Sequence, residues 1–317
     1  MKYIFLDEKY WIDLRRFIYH ERNAPELSAV VNLLTEKTDS GEWALPLSLE
    51  HINETRATFN PSLRQPLVDV MLLFSKGYAI KDFIALREHE IIALIKGQDA
   101  WKTPDKVIAQ DPGIIFGSNV HDMLDSFLME EGVENGSQLF TIMHTIYPQL
   151  MKSGVPLRYV MSQPFDPASD KDLYFQILEW ARENSEKTEL HFVFNRIRDY
   201  YTINQQEKIL SYGLSKLSKE SKEENRIELR KLLQKLPTFY SNCVLMYKNI
   251  HMQPSNKPFH KNDFTDMMYL AAMIPYCDFV LTEAKWVDLA KQAQLDKTYN
   301  TVLSSNIHDL ISWAEPK

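Results

Sequence analysis

Acidic side chains fall at the ends of short apolar segments in this chain of 317 residues. Residues 2–7 form an apolar run that ends in an acid, and residues 278–282 form a compact run that an acid follows. In an open parallel sheet, ligands bind outside the carboxyl ends of the strands, so these carboxylates are placed to share one site. Carboxylates this close repel one another, and a neutralising cation is their natural companion. The acids concerned are Asp7, Glu50, Glu54, Asp263, Asp266 and Glu283.

The ligand atoms of this group are all carboxylate oxygens. Oxygen ligands without a cysteine or histidine partner select Mg²⁺ or Mn²⁺ over Zn²⁺. The two cysteines, Cys243 and Cys277, have no partner at metal-ligand spacing, and we interpret them as buried, reduced thiols. The sequence therefore predicts Mg²⁺ or Mn²⁺ as the cofactor.

Each acid also has an interpretation without chemistry. Asp7 could be a turn residue at a strand end. Asp263 and Asp266 lie near a helix start, where acids stabilise the helix dipole by about 0.3–1 kcal/mol. Glu50 and Glu54 share a helix face that could meet only solvent. The metal hypothesis therefore requires that acids from separate elements converge.

Short apolar runs alternate with helical periodicity at both ends of the chain. Four runs predict strands, at residues 2–7, 43–48, 278–282 and 301–304. Alternating β and α units imply a parallel sheet of about four strands, covered by helices on both faces. The helices are predicted over residues 25–39, from a Ser48 cap through Glu54, from an Asn262 cap to about Ile274 with a stop at Pro275, around Trp286, and from an Asn306 cap through Trp313.

The long middle of the chain has helical periodicity with few strand signals. Leu67, Val70, Met71 and Phe74, for example, lie on one helical face, and prolines mark the loops between such segments. We therefore predict a discontinuous α/β core formed by residues 1–58 and 258–317, which an all-helical insertion at residues 59–257 interrupts.

The order of these motifs resembles that of PIN-domain nucleases. That family has an Asp ending the first strand and a Ser-started helix with a Glu about six places on. It also has a helix of the form Asp-x-x-x-x-Ala-Ala, leading to a strand that ends in Thr. Asp7 matches the first feature, Ser48 with Glu54 the second, and the run from Asp266 to Thr282 the third. The resemblance covers roughly residues 1–58 and 258–317.

The resemblance implies a PIN-like three-layer α/β/α core and a metal-dependent nuclease. Asp7, Glu54 and Asp266 would be catalytic metal ligands, with Asp263 as a further ligand or a supporting acid. The reaction would be phosphodiester hydrolysis by water that Mg²⁺ or Mn²⁺ activates. The family's preference for RNA implies a ribonuclease, which we expect to be an endoribonuclease, although the sequence leaves endo and exo cleavage open. Supporting roles would fall to Glu283, Thr282, Ser48, Glu50 and Asn262, and Ser48 could equally be a simple helix cap.

One position departs from the family pattern. An Asp commonly stands two places after the Thr, and here that position is Ala284. Glu283 could substitute through its longer arm, or the site could be inactive. The alternative hypothesis is therefore a catalytically inactive PIN-like scaffold that binds a partner protein through the helical insertion. An aspartyl-phosphate phosphatase is set aside, because its second Asp would fall at Lys9.

Charge and composition bear on the partners. The formal net charge of -7 gives no whole-molecule attraction to a polyanion, although carboxylates that hold cations are counted as bare charge in that sum. Residues 191–201 interleave aromatic and basic side chains. Arg196 and Arg198 could pair with phosphates there while aromatic rings stack on bases, or Phe192 and its neighbours could be core.

We expect a cytoplasmic protein without a membrane partner. The apolar run at the start is too short for a signal peptide, and no apolar stretch approaches the roughly 20 residues of a bilayer span. The expected partner is a nucleic-acid substrate. From the family's habits, a toxin or antiviral-defence effector controlled by a regulatory protein is a further hypothesis.

Overall fold

A four-stranded parallel sheet forms the centre of the computed structural model. The strands are β1 (Lys2–Leu6), β2 (Trp43–Ala44), β5 (Phe279–Leu281) and β6 (Val302–Ser304), in the order β2-β1-β5-β6. Each lies where an apolar run predicts a strand, so the mixed α/β fold with a parallel sheet is confirmed. The structure describes residues 1–21, 23–58, 60–116, 223–252 and 262–315, with isolated positions between 129 and 196 and at 259.

Helices make up most of the described chain. Several begin at a side chain that accepts a hydrogen bond from the first helical turn: Asp7, Ser48, Asn60 and Asp82. Within the described ranges, every helix is too short or too polar to cross a lipid bilayer. The helices are α1 (Glu8–Ile18), α2 (Leu27–Asp39), α3 (Leu49–Ala57), α4 (Pro61–Ser75), α5 (Phe83–Ile95), α6 (Glu223–Leu233), α7 (Pro237–Met252), α8 (Asp263–Tyr276), α9 (Ala284–Gln292), α10 (Leu295–Tyr299) and α11 (Asp309–Ala314).

Successive residues of β1 point to opposite faces of the sheet. Ile4 and Leu6 join a buried apolar cluster with α1, α2 and α4. Tyr3 and Phe5 join another cluster with α7, α8 and α9. Burial on both faces explains why the strand is a continuous apolar run rather than an alternating one. Helices α4 and α7, which flank the middle of the chain, pack into the same clusters as the strands.

The middle of the chain departs from the all-helical prediction. Strands β3 (Ala79–Ile80) and β4 (Ile108–Ala109) pair antiparallel, and Ala79 also forms a parallel bridge with Leu47, three residues after β2. Strands of two residues are too short to show an alternating pattern, so the surrounding helical periodicity hides them. The description of residues 59–257 as all-helical is therefore wrong for this segment.

Two helix ends differ from the prediction. Helix α8 continues past Pro275 to Tyr276, because the proline lacks only its own N–H and Cys277 N still bonds to Met273 O at 2.9 Å. Asn306 does not cap the last helix directly. Its Oδ1 accepts from His308 N at 3.2 Å, and α11 begins at the residue after that histidine.

Candidate functional site

Asp7 and Thr282 meet at the carboxyl ends of two neighbouring strands. Asp7 follows β1 and Thr282 follows β5, and the pairing of Leu6 with Leu281 brings the two positions side by side. The Thr282 hydroxyl donates to Asp7 Oδ2 at 2.9 Å, and Asp7 Oδ1 accepts from Lys9 N at 3.3 Å. Asp7 is 8% exposed. Protein donors therefore fix the orientation of its carboxylate.

Tyr269 joins Asp7 to Asp266, one of the two acids in the first turn of α8. Its hydroxyl oxygen lies 2.9 Å from Asp7 Oδ2 and 3.3 Å from Asp266 Oδ1. Burial, followed by the charge of Asp7, raises the pKa of Tyr269 well above its usual range, so the hydroxyl keeps its proton. A phenol has one O–H donor and cannot satisfy both carboxylates. The two acids therefore share one hydroxyl proton.

Trp286 of α9 holds the other oxygen of Asp266. The indole Nε1 donates to Asp266 Oδ2 at 3.0 Å, and the ring is buried. The pKa of Asp266 is raised to about 7, first by burial and next by the carboxylate of Asp7, while the bond from Trp286 opposes the rise. This carboxyl therefore titrates near neutral pH.

Glu54 of α3 and Glu8 of α1 bring two more carboxyls to this place. Burial raises the pKa of Glu54 well above its usual range, and the charges of Glu8, Asp266 and Asp7 raise it further. A hydrogen bond between Glu54 and Glu8 acts in the same direction, so these two carboxyls share a proton. We call Asp7, Glu8, Glu54 and Asp266 the acidic cluster. Three of its members were predicted as ligands, and Glu8 was not.

Asp263 lies one helical turn before Asp266 but has different partners. Its Oδ1 accepts from Lys285 Nζ at 2.7 Å, and its Oδ2 accepts from Asn249 Nδ2 of α7 at 3.3 Å. The Asp263 side chain is 5% exposed and that of Lys285 is 38% exposed. Both oxygens of this carboxylate therefore face protein donors, one of them a cation.

His51 connects the start of α3 to the end of β1. Its Nε2 lies 2.8 Å from Leu6 O, and its Nδ1 lies 3.2 Å from Ser48 N, so Nε2 donates and Nδ1 accepts. Ser48 Oγ accepts from His51 N at 3.3 Å in return. These reciprocal hydrogen bonds agree with the interpretation of Ser48 as a helix cap. Burial lowers the pKa of His51 to about 4, so the imidazole is neutral at physiological pH.

The other predicted supporting residues differ in their relation to the acidic cluster. Burial raises the pKa of Glu50, and the neighbouring carboxylate that adds to the rise is Asp82 at the start of α5. Glu283 is exposed directly before α9, and its charge contributes to the raised pKa of Asp266. Asn262 occupies the position before α8, and its side chain does not bond to the first turn.

Of the two predicted phosphate-binding arginines, one is described. Arg196 is partly buried, with its guanidinium 5.8 Å from the centroid of the Phe192 ring. Phe192 is 2% exposed, in agreement with the core interpretation of this aromatic residue. Arg198 lies outside the described residues.

The acidic cluster fits a divalent cation in the chemistry of its ligand atoms. They are carboxylate oxygens, which Mg²⁺ and Mn²⁺ prefer, and a shared hydroxyl and shared protons hold them together. In spacing, no group of three or more His, Cys, Asp or Glu side chains in the described ranges is arranged to hold a metal ion. Closer approach of these carboxylates would have to accompany binding.

Apart from Thr282, which was predicted as a supporting residue, the side chains that orient the acids were not expected from the motifs. Tyr269 is three residues after Asp266 and so shares its helix face, and this spacing could have identified it. Trp286 and Lys285 belong to the helix after Thr282, and nothing in the local sequence indicates which acid each contacts.

Comparisons with protein-family models, with curated proteins and with solved structures found no match to this chain. The interpretation of the site therefore depends on its own geometry.

Proposed function

We propose that this protein is a metal-dependent nuclease with a PIN-like core, and that it hydrolyses phosphodiester bonds in RNA, most simply as a cytoplasmic endoribonuclease. The observation that carries the proposal is the convergence of Asp7, Glu54 and Asp266 from three separate elements. They meet at the carboxyl end of the parallel sheet, where such folds bind ligands. The sequence order of the elements and the sheet order β2-β1-β5-β6 support the PIN-like assignment.

The balance of charge supports a cation at this place. The groups that donate to Asp7 and Asp266 are hydroxyls, an indole N–H and a backbone N–H. Neutral donors stabilise a carboxylate less than a cation does. Burial, followed by the charges of the neighbouring carboxylates, raises the pKa values of Asp266 and Glu54, and a cation would oppose that rise. The residues that would hold Mg²⁺ or Mn²⁺ are Asp7, Glu54 and Asp266.

A bound divalent cation supplies Lewis acidity, which lowers the pKa of water and offsets charge on phosphoryl oxygens. The protein supplies orientation. Thr282 and Tyr269 hold Asp7, and Trp286 holds Asp266, so that both carboxylates have defined directions before substrate arrives. Glu54 and Glu8 hold a shared proton in the absence of a cation, and positive charge in the cluster would favour their ionised forms.

Two observations favour the alternative, a scaffold without catalysis. Ala284 opens α9 where the PIN family commonly has an acid, and the carboxyls of the described residues lack the spacing of a ready metal site. In that case the acidic cluster would have no catalytic role and would lower the stability of the fold. The described helices of the middle segment would bind a partner protein.

The decisive experiment is cleavage of labelled single-stranded RNA and DNA with Mn²⁺ or Mg²⁺, against EDTA. The test variant carries Asp7→Asn and Asp266→Asn together. The matched control is Asp288→Asn, which removes an exposed acid from α9. The melting temperature of each protein is measured with and without Mn²⁺, because an ion that binds the folded state stabilises it by about 2.7 kcal/mol at one hundred times its Kd.

Cation-dependent cleavage that the double variant lacks and Asp288→Asn retains would support the nuclease. Equal inactivity of all three proteins, with no Mn²⁺-dependent rise in melting temperature in the wild type, would leave the scaffold as the better account. Cleavage that persists in EDTA would contradict the metal assignment. A regulatory partner of a toxin or defence effector would show itself by relieving growth arrest on co-expression.

A further inference from the structure

We propose that Lys285 binds a phosphate of the nucleic-acid substrate beside the acidic cluster, and that Asp263 positions this lysine rather than holding a metal ion. The inference rests on the proposed nuclease function and names a residue that would contact the substrate's backbone. It also divides the predicted acids into two groups with different tasks.

Two adjacent residues fasten the first turn of α9 to the first turn of α8. Lys285 bonds to Asp263 at 2.7 Å and Trp286 bonds to Asp266 at 3.0 Å. The two acids are three residues apart on α8, about 4.5 Å along the helix axis. The ammonium is therefore held at the border of the acidic cluster, at a distance that neighbouring groups of one bound phosphodiester chain can span.

The surroundings of Asp263 suit an anchor better than a ligand. Its side chain is 5% exposed, and its two oxygens accept from Lys285 and from Asn249 of α7. A carboxylate that already has an ammonium partner has less to gain from a second cation. Contacts to both α7 and α9 fix its direction. Asp263 thus holds the lysine in one place.

The surroundings of Lys285 suit a phosphate contact. An ammonium has three N–H donors, and Asp263 accepts one of them. With 38% of its side chain exposed, the remaining donors can reach a phosphate oxygen from solvent. Lysine binds phosphate as a point charge and reads no base. The expected contact is therefore independent of nucleotide sequence.

A purely structural role for Lys285 would be to neutralise the buried Asp263. Lys285→Met alone does not separate the two roles, since it leaves a buried carboxylate without its cation and endangers the fold. The comparison is therefore between Asp263→Asn and the double variant Asp263→Asn, Lys285→Met. Neither contains an unpaired carboxylate at position 263. The matched control is Asp263→Asn, Lys291→Met, which removes an exposed lysine from the last turn of α9.

The measurement is the Kd for labelled single-stranded RNA by fluorescence anisotropy, in EDTA and again in Ca²⁺, between about 50 and 200 mM salt. Loss of one phosphate contact reduces the slope of log affinity against log salt by about 0.7 for a single strand. We expect that reduction, with a several-fold weaker Kd, in the double variant that lacks Lys285. The Lys291 control should keep the Kd and slope of Asp263→Asn. Melting temperatures confirm that all three proteins are folded.

Equal Kd and equal slope with and without Lys285 would overturn the inference, and wild-type cleavage of RNA would still uphold the nuclease. An equal loss in the Lys291 control would also overturn it, because the effect would then be one of general charge. A Lys285-dependent slope in a protein that cleaves nothing would uphold the phosphate contact and refute the nuclease. A wild-type protein that binds no nucleic acid would refute both.

Discussion

Replacing Asp266 by asparagine is expected to stabilise the cation-free protein above pH 7, although it removes a residue of the proposed site. The pKa of Asp266 is about 7 in the folded protein, against an ordinary value of 3.8. The folded state therefore binds this proton more tightly than the unfolded state, and stability falls as the pH rises from about 4 through 7. A shift of about three pKa units corresponds to roughly 4 kcal/mol. This is an upper limit, because neighbouring carboxyls share the same protons.

Urea unfolding of the wild type and of Asp266→Asn, followed by tryptophan fluorescence between about pH 5 and 8 in EDTA, measures this difference. The stability of the variant relative to the wild type should increase at each step toward pH 8. Adding Mn²⁺ at pH 8 should reverse the order, because the wild type then gains the free energy of ion binding. Asp288→Asn, at an exposed position of α9, should stay within about 0.5 kcal/mol of the wild type throughout.

The result that would refute this reasoning is an Asp266→Asn protein that is less stable than the wild type at pH 8 in EDTA. It would show that the surroundings of Asp266 favour its charged form. The argument for a missing positive charge at the acidic cluster would then fail. If Mn²⁺ stabilised the variant as much as the wild type, the ion would bind elsewhere.

Three further predictions concern buried groups. Burial lowers the pKa of His51 to about 4 from 6.5, so the protein should lose about 3 kcal/mol of stability as the pH falls between these two values. A difference in unfolding free energy between wild type and His51→Gln that does not change with pH would contradict this. Tyr269→Phe should cost about 1 kcal/mol and slow cleavage at least tenfold, because two acids lose their shared donor. The control is Tyr276→Phe on the same helix, which removes a hydroxyl that bonds to Glu90 at 2.8 Å and should leave cleavage unchanged. Equal single-turnover rates for the two variants would contradict the prediction. Burial raises the pKa of Glu90 to about 7 from 4.5, so stability falls as the pH rises through this range, and Glu90→Gln should raise the melting temperature at pH 8 but not at pH 5. A gain of up to about 3 kcal/mol is expected, and equal melting temperatures at pH 8 would count against it.

The sheet could be predicted because its strands are covered on both faces. Each strand is then an uninterrupted apolar run, which the sequence displays without any knowledge of partners. The position of Asp7 and Thr282 at strand ends follows from the same runs. Their contact could be expected as well, because the carboxyl ends of parallel strands meet at one edge.

The groups that orient the acids could not be predicted in the same way. Asp7 is at once the residue directly after β1 and the cap of α1. Because no loop separates the strand from the helix, the sequence contains no signal for the helix start, and the position of Glu8 could not be predicted. The bond from Lys285 to Asp263 joins residues of two different helices, and a local pattern contains no information about such a pair. Tyr269 shares a helix face with Asp266, which could have identified it, but helical periodicity also assigns its position to the core.

The order of the strands also decides when this protein can acquire a site during its synthesis. β1 lies inside the sheet, and Ile4 pairs with Phe279, a partner made 275 residues later. At about 5–20 residues per second, a ribosome needs roughly 15–55 s to reach it. Until then one edge of β1 has no neighbour, and Asp7 is without Tyr269, Thr282 and Asp266. A nascent chain shorter than about 286 residues therefore lacks the proposed site, so any cleavage of RNA must wait until Thr282 and Trp286 have been made.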